Sequence, residues 1–329
     1  MKVENAIKKK IKRSKNVFIV AHKDLDLDAL GACIGVSSIC RSFNKPGYII
    51  MDDKKHEPSV EKVLDQLEYE YMIINSDDIP KYHHKRSVLV IVDTNKAQLL
   101  QNDKIIHYFD DIIILDHHQQ TAQTMLSTYK IIDANASSAC EIVTNLIEKY
   151  NVTLDKKTAT FILAGIVLDT NNFIVKTSVN TYNAAYYLAK QGANPRNVQY
   201  FLKQDIKDYI IRQKVITEVE VIDDKYALSV ASPKIKYKRE ELAKIADTLL
   251  QFNNIEASFV LGNRIDGGVG LSSRSEGNIN VGKIAEILGG GGDNYDAAAQ
   301  IKNKTLAAVK QELITVLSNK EDKNESDFY

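Results

Sequence analysis

The chain has 329 residues, 44% hydrophobic and 26% charged, with 43 basic side chains balanced by 43 acidic ones. The composition is that of a globular protein long enough for two domains, and the charge balance argues against a long nucleic acid held through its phosphates while leaving a small anionic substrate open. Three cysteines with no CxxC pair read as core residues in a reducing compartment, and no run of about 18 apolar residues is present to span a bilayer, so a cytoplasmic location is expected.

Residues 1–16 (MKVENAIKKKIKRSKN) are basic, lack the apolar stretch of a signal peptide and predict a short amphipathic helix. VFIVAH (17–22) predicts a buried strand, and DALGACIGVSSICRSF (28–43) a helix whose small residues permit close packing. Strands are expected at GYIIMDD (47–53), YMIIN (71–75), SVLVIVD (87–93) and DIIILDHH (111–118), with a helix at SVEKVLDQLE (59–68). SSACEIVTNLIEKY (137–150) carries Ser138 with Glu141 three residues on, a capping-box pattern, and DKKTATFILAGIVLDTNNF (155–173) predicts the next helix. Strands separated by helices predict an α/β domain with a mainly parallel sheet flanked by helices.

From about Asn197 to Val221 the pattern predicts one long helix, a linker between domains. Beyond it, strands at 225–232, 255–264 and 267–275 alternate with helices at 239–252 and 280–288, and GGGG and a final long helix follow, which predicts a smaller α+β domain. The expected organisation is 1–196, a helical linker over 197–222, a second domain over 223–318 and a disordered tail at 319–329, where NKEDKNESDFY has no apolar face.

Four apolar segments each stop at an Asp or His. VFIVA runs into His22 and three aspartates, VLVIV into Asp93, IIIL into Asp116, His117 and His118, and LAGIVL into Asp169. In open α/β sheets ligands bind beyond the carboxyl ends of the strands, so parallel strands would bring His22, Asp26, Asp28, Asp93, His117 and His118 to one edge. A single Asp at a strand end is ordinarily a turn former or helix cap; four such ends together demand another explanation. Crowded carboxylates raise one another's pKa, and a cation resolves the conflict. Asp and His ligands without thiolates suit Mn²⁺, Fe²⁺, Co²⁺ or Zn²⁺ better than Ca²⁺, and six or more candidates suggest two ions sharing a carboxylate, an arrangement suited to phosphoester hydrolysis.

The glycine run before DNYDAAAQ leaves bare amides able to approach an anion and is expected to open a helix. Arg274, on a glycine-flanked strand, could fork onto phosphate or stack on a base.

Taken in order, HKDLDLD (22–28), Asp93 in VDTN, the triplet Asp116-His117-His118, Asp169 in LDTNNF and the C-terminal glycine run resemble the DHH/DHHA1 phosphoesterase superfamily, over nearly the whole chain. The phrases DALGACIGV, ASSACEIVTNLIE, AGIVLDTNNF, VGLSSRS and LGGGGDNYDAAAQ are similar to the catalytic region of GdpP-type cyclic-di-AMP phosphodiesterases. The resemblance implies that His22, Asp26 and Asp93 hold one Mn²⁺ and that Asp28, Asp93, His117 and Asp169 hold a second, with Fe²⁺, Co²⁺ or Mg²⁺ as alternatives. His118 would face the scissile phosphate beside the bridging Asp93, and Asp116 would support the site from behind. Arg274, Gly289, Gly290, Gly291, Gly292 and Asp293 would contact the rest of the nucleotide. The implied reaction is hydrolysis of cyclic-di-AMP to pApA by a metal-bridging hydroxide, in a homodimer with no long nucleic acid as partner.

Two other readings stay open: a nanoRNase or phosphoadenosine-phosphate phosphatase acting on short linear nucleotides, and a catalytically weakened cyclic-dinucleotide-binding protein. GdpP-type proteins usually carry membrane-spanning and regulatory segments ahead of this region, so the chain is expected to be an excised catalytic fragment, the cytosolic part of an anchored protein, or a protein that stands alone. It departs from the family pattern at Leu25, where proline is common, at Asn95, where GdpP-type proteins often have His, and at Asp293, where His commonly follows the glycines. Asp293 is expected to weaken a phosphate grip, and Asp24 to shape the turn without serving as a ligand.

Overall fold

The computed structural model describes residues 2–52, 56–67 and 71–318, so the expectation for the 319–329 tail lies outside the described residues. The chain folds as two compact units that divide between Gln204 and Asp205.

The first unit is built on six parallel strands: β1 (Val17–Val20), β2 (Gly47–Ile50), β3 (Met72–Ile74), β4 (Val88–Val92), β5 (Ile112–Asp116) and β6 (Tyr129–Ile132). Their order is β3-β2-β1-β4-β5-β6, and every neighbouring pair is parallel. The strand order reverses between β1 and β4, the switch point at which open α/β sheets form a crevice. The helices are α1 (Val3–Arg13), α2 (Leu27–Ser42), α3 (Pro58–Leu64), α4 (Ile79–Tyr82), α5 (Ala139–Tyr150), α6 (Lys156–Asp169), α7 (Val179–Lys190) and α8 (Pro195–Phe201).

Successive strand residues point to opposite faces, and both faces are covered. Val17, Ile19, Val88, Val90, Ile113 and Leu115 pack with α1, α2, α5 and α6, whereas Phe18, Val20, Leu89, Ile91 and Ile114 pack under Ile79, Ile105 and Phe109 from short helical turns. The small residues of α2 have the expected use: a Cβ at Gly31 would stand 2.7 Å from Cys140 Sγ and 3.1 Å from Phe161 O. A Cβ at Gly165 of α6 would stand 2.5 Å from Cys140 Sγ and 2.8 Å from Asp28 Cα, so only glycine lets α6 close on α2 and α5 at the level of Asp28.

The helix expected over 197–221 is not continuous. α8 ends at Phe201, a new helix α9 (Ile206–Thr217) starts with Asp205 as its cap, accepting the Lys207 N–H at 2.7 Å, and Glu220–Ile222 forms a strand, β7. Asp205 competes for the backbone in the middle of the apparent helical pattern.

The second unit adds β8 (Tyr226–Val230), β9 (Lys236–Tyr237), α10 (Arg239–Leu249), β10 (Ala257–Arg264), β11 (Val269–Ser275), α11 (Val281–Ile287), β12 (Gly291–Gly292), β13 (Asp296–Ile301) and α12 (Leu306–Ser318). The mixed sheet runs β12-β13-β11-β10-β8-β7, with β9 on β10. α10 covers one face through Leu242, Ile245 and Leu249, and α11 and α12 cover the other through Val281, Ile284, Val309 and Leu313.

Candidate active site

The candidate ligands leave the carboxyl ends of the strands around the switch point and the end of α6. Past β1 the chain carries His22, whose backbone bridges to Leu100, and then turns into α2. Asp26 is the N-cap of α2, its Oδ1 accepting the Ala29 N–H at 2.9 Å. Asp28, in the first turn of α2, is fully buried, and its two oxygens accept the N–H groups of Ala139 and Cys140 at 2.7 and 2.8 Å. Those amides open α5, where the unpaired N–H groups and the helix dipole favour a negative charge. Asp93 follows β4 with φ +56°, a left-handed conformation costly for a non-glycine residue and characteristic of functional turns. Asp169 is the last residue of α6, followed by Asn171, Asn172 and Phe173 at φ +45°, +59° and +65°.

These residues converge on Asp93. His22 Nε2 lies 3.1 Å from Asp93 Oδ2 and 4.0 Å from Asp26 Oδ2, and His117 Nε2 lies 3.2 Å from Asp93 Oδ1 and 3.3 Å from Asp169 Oδ2. Three groups of side chains could each surround a cation, with ligand atoms within 4.8 Å of one another: His22, Asp26 and Asp93; Asp28, His117 and Asp169; and Asp93, His117 and His118. Asp93 Oδ1 is buried, and His117 Nε2 is not aligned on it as a hydrogen-bond donor, so this oxygen is left without one. Such an atom carries a desolvation cost that a cation removes. Carboxylates and imidazoles make up the donor set; burial pushes the Cys140 thiol up, and it donates to the Asp28 carbonyl at 3.3 Å. The site therefore fits divalent cations with mixed oxygen and nitrogen preference. Asp24 is exposed and belongs to none of the three groups.

The electrostatics express the same crowding. Burial and the neighbouring Asp93 push Asp26 up to about 7, and the same causes raise Asp28. Burial with Asp28, Asp26 and Asp93 raises Asp169 well above the ordinary carboxylate range. For His22 burial works downward, but the hydrogen bond from its ring to Asp93 and the charges of Asp26 and Asp93 outweigh it and lift the group to about 9. His117 rises to about 8 against its own burial, through Asp93 and Asp28. Asp93 itself is held below the usual range: its burial is overcome by the His117 and His22 imidazoles. Charge that protons must neutralise in this way is charge that a metal can replace.

Asp116 stands behind this cluster. It is fully buried, and its Oδ1 accepts the Nδ1–H of His118 at 2.8 Å and the His118 backbone N–H at 3.2 Å. Asn95 donates its amide to Asp116 Oδ2 at 2.6 Å and to the His118 carbonyl at 3.2 Å, while Asn95 Oδ1 accepts from Thr124 Oγ1 at 3.1 Å. The ring of His118, 57% exposed, is thus held by one nitrogen and open at the other. The capping box expected at Ser138 is half made: Ser138 Oγ accepts the Glu141 N–H, but Glu141 turns to the N–H and hydroxyl of Ser137 and to Thr181.

In the second unit the glycine run does not open a helix. Gly289 and Gly290 close α11, their N–H groups donating to Glu286 O and Ala285 O, and Gly291 and Gly292 pair with Ala298 and Ala297 across a hairpin. A Cβ at Gly290 would stand 2.2 Å from Ala298 O, so glycine is required by the approach of β13. Asp293 Oδ1 accepts the N–H groups of Tyr295 and Asp296 at 2.8 and 2.9 Å and so builds the hairpin turn. Arg274 Nε faces Asp247 Oδ1 at 2.5 Å and Asp296 Oδ1 at 2.8 Å. Neither acid is apparent from the sequence, because Asp247 lies 27 residues from Arg274 and Asp296 falls in a segment that reads as helical. Asn95 is visible only as a departure from a pattern, with no sign of its partner.

Known proteins share this organisation. Residues 16–166 match the DHH family, N-terminal domain, and residues 223–320 match the DHHA1 domain. The chain is 32% identical to the cyclic-di-AMP phosphodiesterase PdeA of Listeria monocytogenes, over 96% of this chain and 49% of that protein. It is 33% identical to the cyclic-di-AMP phosphodiesterase GdpP of Geobacillus thermodenitrificans, over 94% of this chain and 48% of that protein. The chain thus spans about half the length of these curated relatives. An exopolyphosphatase-related protein of Bacteroides fragilis has the same fold, with a TM-score of 0.78 at 19% identity, covering 95% of this chain and 96% of that one.

Proposed function

The chain belongs to the DHH family and carries a DHHA1 domain, and from that membership we propose that it is a metal-dependent phosphodiesterase that hydrolyses cyclic-di-AMP to pApA. The observation that carries the reading is the convergence of His22, Asp26, Asp28, His117 and Asp169 around Asp93. The names of the two phosphodiesterase relatives support the substrate.

In this reading His22, Asp26 and Asp93 would hold one divalent cation and Asp28, Asp93, His117 and Asp169 a second, with Mn²⁺ preferred and Fe²⁺, Co²⁺ or Mg²⁺ able to serve. Bound there, the cations would supply Lewis-acid charge for the phosphoryl oxygens and lower the pKa of water. Asp93, set by its left-handed turn, presents one oxygen toward His22 and the other toward His117, which makes it the residue the two ligand groups share. The Nδ1 proton of His118 is committed to Asp116, so Nε2 alone meets substrate. With a proton on it, that nitrogen donates to a phosphoryl oxygen as charge builds there. Asn95 keeps Asp116 and the 118–119 backbone in place while this happens. Arg274 would meet the remainder of the dinucleotide once released from one of its two carboxylates. The working unit is proposed to be a homodimer, which light scattering would check.

Product analysis with cyclic-di-AMP, pApA and phosphoadenosine phosphate in Mn²⁺ tests the substrate. Cyclic-di-AMP should be consumed fastest, with pApA as product, and Asp93→Ala should lower turnover by roughly a hundredfold or more. Near-normal Mn²⁺-dependent turnover by Asp93→Ala would overturn the shared-ligand reading. Faster use of pApA or phosphoadenosine phosphate would move the substrate to short linear nucleotides. Tight binding of cyclic-di-AMP with no turnover would make the protein a sensor.

A further inference from the structure

The first unit has a second charged concavity, at the opposite edge of its sheet. A cavity of about 650 Å³ is lined by Lys12, Arg13, Ser14, Lys15, Lys45 and Arg86. It is built where strands begin: Lys15 lies two residues before β1, Lys45 two before β2 and Arg86 two before β4, while Lys12 and Arg13 end α1. Each strand residue advances about 3.3 Å, so roughly 20 Å of strand and turn separate Asn16 from His22 at the acidic edge. The three loops are tied to one another by their backbones. Lys15 N–H donates to Arg86 O at 2.9 Å, Val17 N–H to Pro46 O at 3.0 Å, and Val88 N–H to Asn16 O at 3.2 Å. The cations are therefore carried on a fixed frame.

Among the described residues, no carboxylate lines this cavity and none of the five cations has an acidic partner; Lys12 lies over the Phe43 ring at 4.7 Å. Basic residues in the last turn of a helix answer its dipole, which accounts for Lys12 and Arg13. It does not account for Lys45 and Arg86, which come from two other points of the chain, nor for their meeting with Lys15 just past the end of α1. In a protein with equal numbers of acids and bases, five like charges around one hollow carry a self-repulsion that an anion relieves. Lysines offer point charge and arginines a fork of N–H donors, the combination that recognises phosphoryl oxygens. The volume suits a small molecule.

We propose that this cavity is a binding site for clustered phosphoryl groups, separate from the site around Asp93. The phosphoryl groups come either from a small soluble anion bearing several phosphates or from anionic lipid headgroups.

The test uses the full chain stripped of metal with EDTA. Tripolyphosphate binding is followed by calorimetry, and sedimentation is measured with vesicles containing phosphatidylglycerol. Tripolyphosphate should bind and raise Tm. The exposed substitutions Lys15→Gln and Arg86→Gln together should weaken binding about tenfold or more, Lys12→Gln should weaken it less, and Asp93→Ala should leave it unchanged. Vesicle binding lost in the same double variant, without tripolyphosphate binding, would support the site and assign it to lipid. No binding to either probe, binding that survives the double variant, or binding lost only in Asp93→Ala would overturn the proposal.

Discussion

Asn95 donates to Asp116 Oδ2 and to the backbone that carries His118, and it is itself held by Thr124. Without that amide, Asp116 would be fully buried with one oxygen unpaired, and the ring orientation of His118 would rest on a single contact. Partners of this kind are worth about ten- to a hundredfold in activity. Asn95→Ala should therefore lower kcat by about that factor with little change in KM, because His118 would still be present but no longer aimed. Asn95→His, able to donate from a ring nitrogen, should recover most of the loss in steady-state assays. Wild-type kinetics in the alanine variant would reduce Asn95 to a loop residue. The sequence made Asp116, His117 and His118 conspicuous because they stand side by side at the end of an apolar run. It could not do so for Asn95, since the bond that gives it meaning closes across 21 residues. Nor could it reveal that Asp28 is held by two amides of α5, 111 and 112 residues away.

At the level of elements, the parallel strands and long apolar helices were legible because their pattern is strong: β1 and β4 are apolar throughout, β5 is apolar up to its closing Asp116, and α2, α5 and α6 follow recognisable caps. Elements with weak signals were not. β6 is a half-exposed edge strand, and β13 is an alanine-rich segment whose composition favours helix. What makes β13 a strand is tertiary, namely the close approach of the glycine hairpin and the pairing with β11. The consequence bears on the proposed nucleotide contact, because that strand delivers Asp296 to Arg274. A guanidinium facing two carboxylates is poorly placed to grip a phosphate. Asp296→Asn should release Arg274 in part and lower KM for cyclic-di-AMP several-fold, consistent with roughly 1 kcal/mol for one charged contact. An unchanged KM in this variant, with its fold intact by circular dichroism, would make Arg274 a purely structural tie.

Across the whole molecule, the acidic edge makes stability depend on protons when no metal is bound. His22 is raised to about 9 and His117 to about 8, so the stability they contribute is complete below about pH 6.5 and is lost as pH rises through those values. Asp26, raised to about 7, contributes fully below its ordinary range and loses its share as pH passes 7; Asp28 and Asp169 shift in the same sense. Asp93 runs the other way: held below the usual range, it contributes above about pH 4 and loses that contribution on acidification. The folded chain thus binds more protons than the unfolded one in the neutral range, and each unit of pKa difference corresponds to about 1.4 kcal/mol. The EDTA-treated protein should lose on the order of 5 °C in Tm between about pH 6 and 9. A divalent cation held by these residues would do the work of those protons without being titrated away, and it would bind best when they have left. Excess Mn²⁺ should therefore raise Tm little at pH 6 and most at pH 9, flattening the profile. Asp93→Ala should remove the Mn²⁺-dependent part, since both proposed ligand groups would lose the member they are proposed to share. A metal-free profile that is flat or rises over this range, or a Mn²⁺ effect that shrinks as pH increases, would mean that the acids at this edge are not coupled as their spacing requires.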